Sequence, residues 1–210
     1  MLTIKGAAAV GALSVVAAAL ASCAPLPGHS SGPGLNAVGY AALPASCYVT
    51  KINPTNVTAT ITFYGWPDNA PPGDKIAHPV LHHVASGDGT YCNPTTFATE
   101  PKNDGEIPYG IKIYVPFLQQ YFIREDECTH SGPHRGHGSN GCTGLWFDLW
   151  IGGDKNSIPH AVFWCENHLT PGSKVQVVLY PQDNLPVENA GPIYQDAPPP
   201  KGTCFGTPEK

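Results

Sequence analysis

The chain has 210 residues, and 11 Lys and Arg against 16 Asp and Glu leave a formal charge of −5, so no basic footprint for nucleic acid exists. Gly and Pro supply 23 residues each while charged residues are only 13%, which favours short strands joined by turns over a helical bundle. With 41% hydrophobic residues, disorder is disfavoured and one compact domain behind a leader is expected.

Residues 1–24 carry Lys5 and then an uncharged apolar run from Gly6 to Leu20, short for a membrane span and typical of a secretory signal peptide. Two processing routes stay open. Ala19-Leu20-Ala21 suits an ordinary signal peptidase, whereas Leu20-Ala21-Ser22-Cys23 has the form of a bacterial lipobox. The expected location is extracellular, and a membrane is involved only if Cys23 is lipidated, which would anchor the protein at the outer face of a bacterial membrane. Without Cys23 six cysteines are left, Cys47, Cys92, Cys128, Cys142, Cys165 and Cys204, an even set expected to form disulfides. Cys128 and Cys142 are the pair expected first, because they bracket a loop of Gly, Ser and His that needs closing.

Residues 25–45 form an aperiodic Pro, Gly and Ser spacer, the folded domain is expected over 46–191, and a Pro-rich tail over 192–210 is pinned by Cys204. Val57, Ala59, Ile61 and Phe63 alternate with Thr58, Thr60, Thr62 and Tyr64, the clearest half-buried strand. Further strands are predicted over Ile111–Val115, Tyr121–Asp126, Leu145–Ile151 and Lys174–Tyr180. One helix is predicted, capped by Ser157, with Pro159 in its first turn and a stripe of Ile158, Val162, Cys165 and Leu169. This inventory implies a small, mainly β, closed or nearly closed barrel with disulfide-braced loops.

Strand parity places Trp146, Asp148 and Trp150 on the face opposite Leu145, Phe147, Leu149 and Ile151. A carboxylate between two indoles loses hydration, which raises its pKa toward that of a general acid at neutral pH, and indole faces are platforms for sugar rings. The alternative is a pair of core tryptophans around an Asp that accepts backbone hydrogen bonds. Tyr64, Trp66 and Asp68 continue one parity past the end of the first strand, where Asp68 can serve as a base that activates water or belong to an ordinary Pro-Asp-Asn turn. Asp126 is a supporting acid, and Arg124, of the same parity, is expected to orient it. His130, His134 and His137, and likewise His78, His82 and His83, read as solvated loops rather than metal sites, so no metal or cofactor is expected. Neither a G-x-S-x-G elbow nor a phosphate-binding loop occurs.

Thr-Phe-Tyr-Gly at 62–65, Glu-Asp-Glu-Cys at 125–128 and Phe-Asp-Leu at 147–149 occur in the order found in expansins. Over about residues 57–180 the chain therefore resembles expansins and the related family 45 endoglucanases, which implies a six-stranded double-psi β-barrel with one short helix and Asp148 as the matched acid. The run 146–154 also looks like the end of the triple-Asp domain of lytic transglycosylases, where Asp126, Asp148 and Asp154 would be the three acids. Departures are Gly65-Trp66-Pro67-Asp68 and the His-rich insert at 129–141, and residues 181–210 are not expected to form a second, carbohydrate-binding domain of the expansin kind.

Three functions are consistent with these residues. The first is glycan cleavage, with Asp148 as acid, Asp68 as base and Asp126 in support. An inverting hydrolase of this kind needs its carboxyls roughly 6.5–9.5 Å apart, whereas lytic transglycosylation needs Asp148 alone. The second is wall binding or loosening without hydrolysis, on a substrate surface of Tyr64, Trp66, Trp146 and Trp150. The third is a purely structural or effector-type exported protein whose acids are structural and whose partners are proteins. The first is favoured, with a cell-wall polysaccharide (cellulose, chitin or peptidoglycan) as partner and a monomer as the expected state.

Overall fold

The computed structural model describes Cys47 and residues 52–128, 142–196 and 202–208. The leader, the spacer and the His-rich insert with His130, His134 and His137 lie outside the described residues.

Six strands close a barrel: β1 (Thr55–Tyr64), β2 (Thr95–Thr99), β3 (Lys112–Val115), β4 (Gln120–Glu127), β5 (Trp146–Trp150) and β6 (Val175–Leu179). Their order around the barrel is β1-β5-β2-β4-β3-β6. The ten-residue β1 serves two neighbours in succession, Thr55 to Ala59 running antiparallel to β6 and Thr60 to Tyr64 parallel to β5. A second parallel pair joins β2 and β4, and the remaining neighbours are antiparallel. Closure removes the exposed edges that would otherwise invite intermolecular pairing. A small ribbon of β7 (Tyr194–Gln195) and β8 (Thr203–Cys204) lies outside the barrel.

The alternation of β1 is realised as expected, with Ala59, Ile61 and Phe63 inside and the threonines outside. Phe97 and Phe147 meet edge to face at 5.3 Å in the same core, joined by Phe122 and Leu149. Burying each such side chain contributes about 1.5–3 kcal/mol. The helix α1 (Pro159–Leu169) covers one side with Val162, Cys165 and Leu169.

Ser157 does not cap that helix. Ile158 occupies the cap position, and the Ser157 hydroxyl accepts from the Asp154 N–H and donates to Asp196 at 2.5 Å. Ile158 is 43% exposed and so leaves the predicted stripe, because it precedes the first helical turn. The strand β2 has no counterpart in the sequence reading, since all five of its residues are buried and no polar alternation marks it.

Three disulfides brace the loops: Cys47–Cys92, Cys128–Cys142 and Cys165–Cys204. The second closes the His-rich insert as expected, and the third ties α1 to the C-terminal segment. Such a set points to an oxidising compartment. Among the described residues no helix is long and apolar enough to cross a membrane.

Candidate functional site

Register places four side chains in one row across the outer wall of the barrel. Thr62 on β1 lies opposite Asp148 on β5, Asp148 opposite Ala98 on β2, and Ala98 opposite Asp126 on β4. The small Ala98 separates two acids and leaves room above them. A cavity of about 260 Å³ occupies that space, lined by Tyr64, Ala98, Asp126 and Asp148 and walled by parts of the segment 69–77.

Asp126 reaches this face through a defect in β4. Phe97 pairs with Arg124 and Ala98 with Asp126, so Glu125 is an extra residue, a β-bulge. The bulge reverses the parity that placed Arg124 beside Asp126. Arg124 is fully buried and turns away, donating to the Ile107 carbonyl and to Asp104 at 2.7 Å, and lying 4.0 Å from the Tyr109 ring centre. It does not orient Asp126. That carboxylate instead accepts from the Tyr64 hydroxyl at 3.0 Å and from the N–H groups of Ala77 and Glu127.

Asp148 is 7% exposed and accepts from the Thr62 hydroxyl at 2.7 Å, while the Trp146 indole N–H donates to that same hydroxyl at 2.8 Å. Burial pushes the Asp148 carboxyl up to about 7, helped by the charges of Asp68 and Asp126 and opposed by the Thr62 hydrogen bond. Burial likewise raises Asp126, against three hydrogen bonds that favour its ionised form. Two acids thus share a cavity in which Asp148 keeps its proton near neutrality.

The aromatic residues divide by role. Trp150 is 4% exposed and meets Tyr64 edge to face at 5.2 Å, so it backs the site and offers no open ring face. Tyr64 is equally buried and spends its hydroxyl on Asp126. Trp66 and Trp146 are half-buried and retain accessible surface.

Asp68 is also half-buried, accepting from the Gly65 N–H at 2.7 Å, the local turn foreseen as its alternative role. It additionally hydrogen-bonds Glu166 of α1, whose carboxyl is pushed up to about 10 by burial and by the Asp68 charge. Sequence reasoning missed Glu166. A signal was present, because 162, 165, 166 and 169 follow the i, i+3, i+4, i+7 pattern of a buried face and Glu stands at the third of these positions. Asp154 does not join Asp126 and Asp148. It accepts from the Asn156 N–H and lines a separate depression beside Asp74 and Asp196.

Glu125 and Glu127 hold the segment that follows the cavity wall. The fully buried Glu125 accepts from the N–H groups of Val80, Leu81 and His82 and pairs with the His82 ring at 2.6 Å. Glu127 pairs with His78 at 2.8 Å. Among the described residues Cys128, Cys142 and Asp148 form a compact donor group, but both sulfurs are consumed by their disulfide and offer no thiolate.

The fold and the site define a disulfide-braced, six-stranded β-barrel that bears a proton-holding carboxyl in an open cavity on its outer wall. Residues 56–205 match the family model described as the DDB_G0273701 N-terminal domain, and the chain belongs to that family. A relative from Dictyostelium discoideum, the uncharacterized protein DDB_G0273701/DDB_G0273221, is 35% identical over 153 residues, covering 73% of this chain. The chain spans 62% of that relative's length. No solved structure matches.

Proposed function

We propose that the protein is exported and cleaves a cell-wall polysaccharide, with Asp148 as the general acid that protonates the glycosidic oxygen. The observation that carries this reading is Asp148 itself, a carboxyl held near neutrality on the lining of an open cavity, with Thr62 and Trp146 fixing its orientation. Two parallel strand pairs within a closed six-stranded barrel support the double-psi type that the expansin resemblance implies.

In the hydrolytic scheme the proton of Asp148 passes to the leaving oxygen as the C–O bond breaks. Asp68 takes a proton from the attacking water, whose oxygen forms the new bond to the sugar carbon. Asp126 contributes a negative charge that helps keep Asp148 protonated. In the lytic scheme a hydroxyl of the sugar replaces water, and Asp148 acts first as acid and then as base. Trp66 and Trp146 supply ring faces for the polymer.

One observation favours a second reading, wall binding or loosening without hydrolysis: Asp68 is already engaged by the Gly65 N–H and by Glu166. Mass spectrometry of soluble products separates the two. Wild type and Asp148→Asn are incubated with peptidoglycan, chitin and cellulosic wall preparations. Products from wild type alone support cleavage, and an anhydro-sugar end selects the lytic scheme. Retained binding to one polymer with no products sinks cleavage and leaves the binder.

A further inference from the structure

Glu166 is a buried acid that the proposed chemistry leaves without a task. It lies in the last turns of α1, 7% exposed, and its Oε1 has no hydrogen-bond partner among the described residues. Gly65 is what allows α1 to bring this carboxyl against the end of β1. A Cβ at position 65 would lie 2.6 Å from Val162 Cγ1, 3.1 Å from the Gly152 carbonyl and 3.2 Å from Glu166 Oε1. With hydrogen there instead, the same glycine gives its N–H to Asp68, and Asp68 hydrogen-bonds Glu166. Two carboxyls in one hydrogen bond cannot both be ionised, so one of them carries a proton. The more buried partner is Glu166, whereas Asp68 has a backbone donor that favours its charged form. The acids that act on Glu166 are Asp68 first, whose negative charge holds the Glu166 proton in place, and Asp148, which adds to it as it ionises above neutral pH.

We infer that Glu166 is a positioning residue, a neutral carboxylic acid that donates its O–H to Asp68 and so keeps Asp68 ionised and fixed beside Asp148. The backbone of the β1 turn supplies one donor to Asp68 and the helix supplies another. Removing the helix donor takes away one stabiliser of the ionised carboxylate, so its titration moves upward and its capacity to accept a proton from water falls. The inference rests on the reading of Asp68 as the base, and it assigns to α1 a part in the site besides covering the core.

The test compares the full chain as wild type, Glu166→Gln and Glu166→Leu by carboxyl carbon NMR across pH, together with product formation on the polysaccharide that wild type cleaves. Near-ultraviolet circular dichroism checks that each variant is folded. In wild type the Glu166 carboxyl is expected to be protonated at neutral pH while Asp68 is ionised. Gln retains an N–H donor of nearly the same shape, so the Asp68 titration is expected to stay put and product formation to remain within about threefold. Leu removes the donor, raising the Asp68 titration by about one pH unit and lowering product formation by about 100-fold. An unchanged Asp68 titration in Glu166→Leu, or equal shifts in both variants, overturns the inference. If wild type cleaves no glycan, the proposed function fails, and the NMR comparison still decides what Glu166 does.

Discussion

Replacing Asp148 by Asn is expected to stabilise the barrel while abolishing polysaccharide cleavage. The folded protein holds this carboxyl at about 7 instead of its ordinary 3.8. Between those values the native state binds a proton that the unfolded chain has already released, so stability present in full below 3.8 is lost as pH rises to about 7. At about 1.36 kcal/mol per pH unit the loss at pH 7 is roughly 4 kcal/mol. Asn carries no charge to desolvate and its amide oxygen can still accept from Thr62, but its amide N–H groups need new partners, which reduces the gain to about 1–3 kcal/mol. Differential scanning calorimetry at neutral pH should show a midpoint raised by roughly 3–10 °C. Near pH 4 the variant should be no more stable than wild type. A variant no more stable than wild type at neutral pH, or one equally stabilised at both, refutes the idea that burial withholds the charge of Asp148.

The remaining expectations concern the cavity and its supports. Ala98→Leu places a branched side chain between Asp126 and Asp148, and should abolish product formation and weaken polymer retention in pull-down assays while leaving the calorimetric midpoint within a few degrees. Gly65→Ala drives a methyl group into Val162 and Glu166 and should cost about 1–3 kcal/mol in urea unfolding. Glu125→Gln removes the carboxylate beneath three backbone N–H groups and should accelerate hydrogen exchange at Val80, Leu81 and His82. Burial alone would raise Glu125 and lower His82, but their mutual hydrogen bond reverses both, moving Glu125 below its ordinary 4.5 and His82 above its ordinary 6.5. The pair should therefore protect those amides best between about pH 4.5 and 6.5. Protection should fall below the Glu125 transition and above that of His82.

Much of the barrel was legible because five of its six strands carry ordinary signals. The Val57 to Phe63 alternation and the Leu145 to Ile151 parity each set inside from outside correctly, and the second placed Asp148 on the outer face. β2 was silent, since Thr-Thr-Phe-Ala-Thr is buried on both faces and period-2 patterning needs one face in water. The bulge at Glu125 defeats parity over a single residue: Arg124 turns toward Ile107, Asp104 and Tyr109 while Asp126 faces the outer wall. Alternation cannot report such an insertion, because each residue type is plausible on either face. Glu166 occupies a position on the helix stripe that apolar periodicity alone does not mark. Its acidic side chain in a buried position was the cue. The glycine of Thr-Phe-Tyr-Gly gained its physical meaning only once α1 was seen against it.

The most direct test of the account is the carboxyl carbon NMR titration of Asp148 in the wild-type protein. A transition close to pH 7 is expected that moves downward when Asp68 or Asp126 is replaced by Asn, since both charges help hold the proton. A transition near the ordinary Asp value of 3.8 would mean that Asp148 is a plain carboxylate at neutral pH, and the general acid would have to be sought elsewhere.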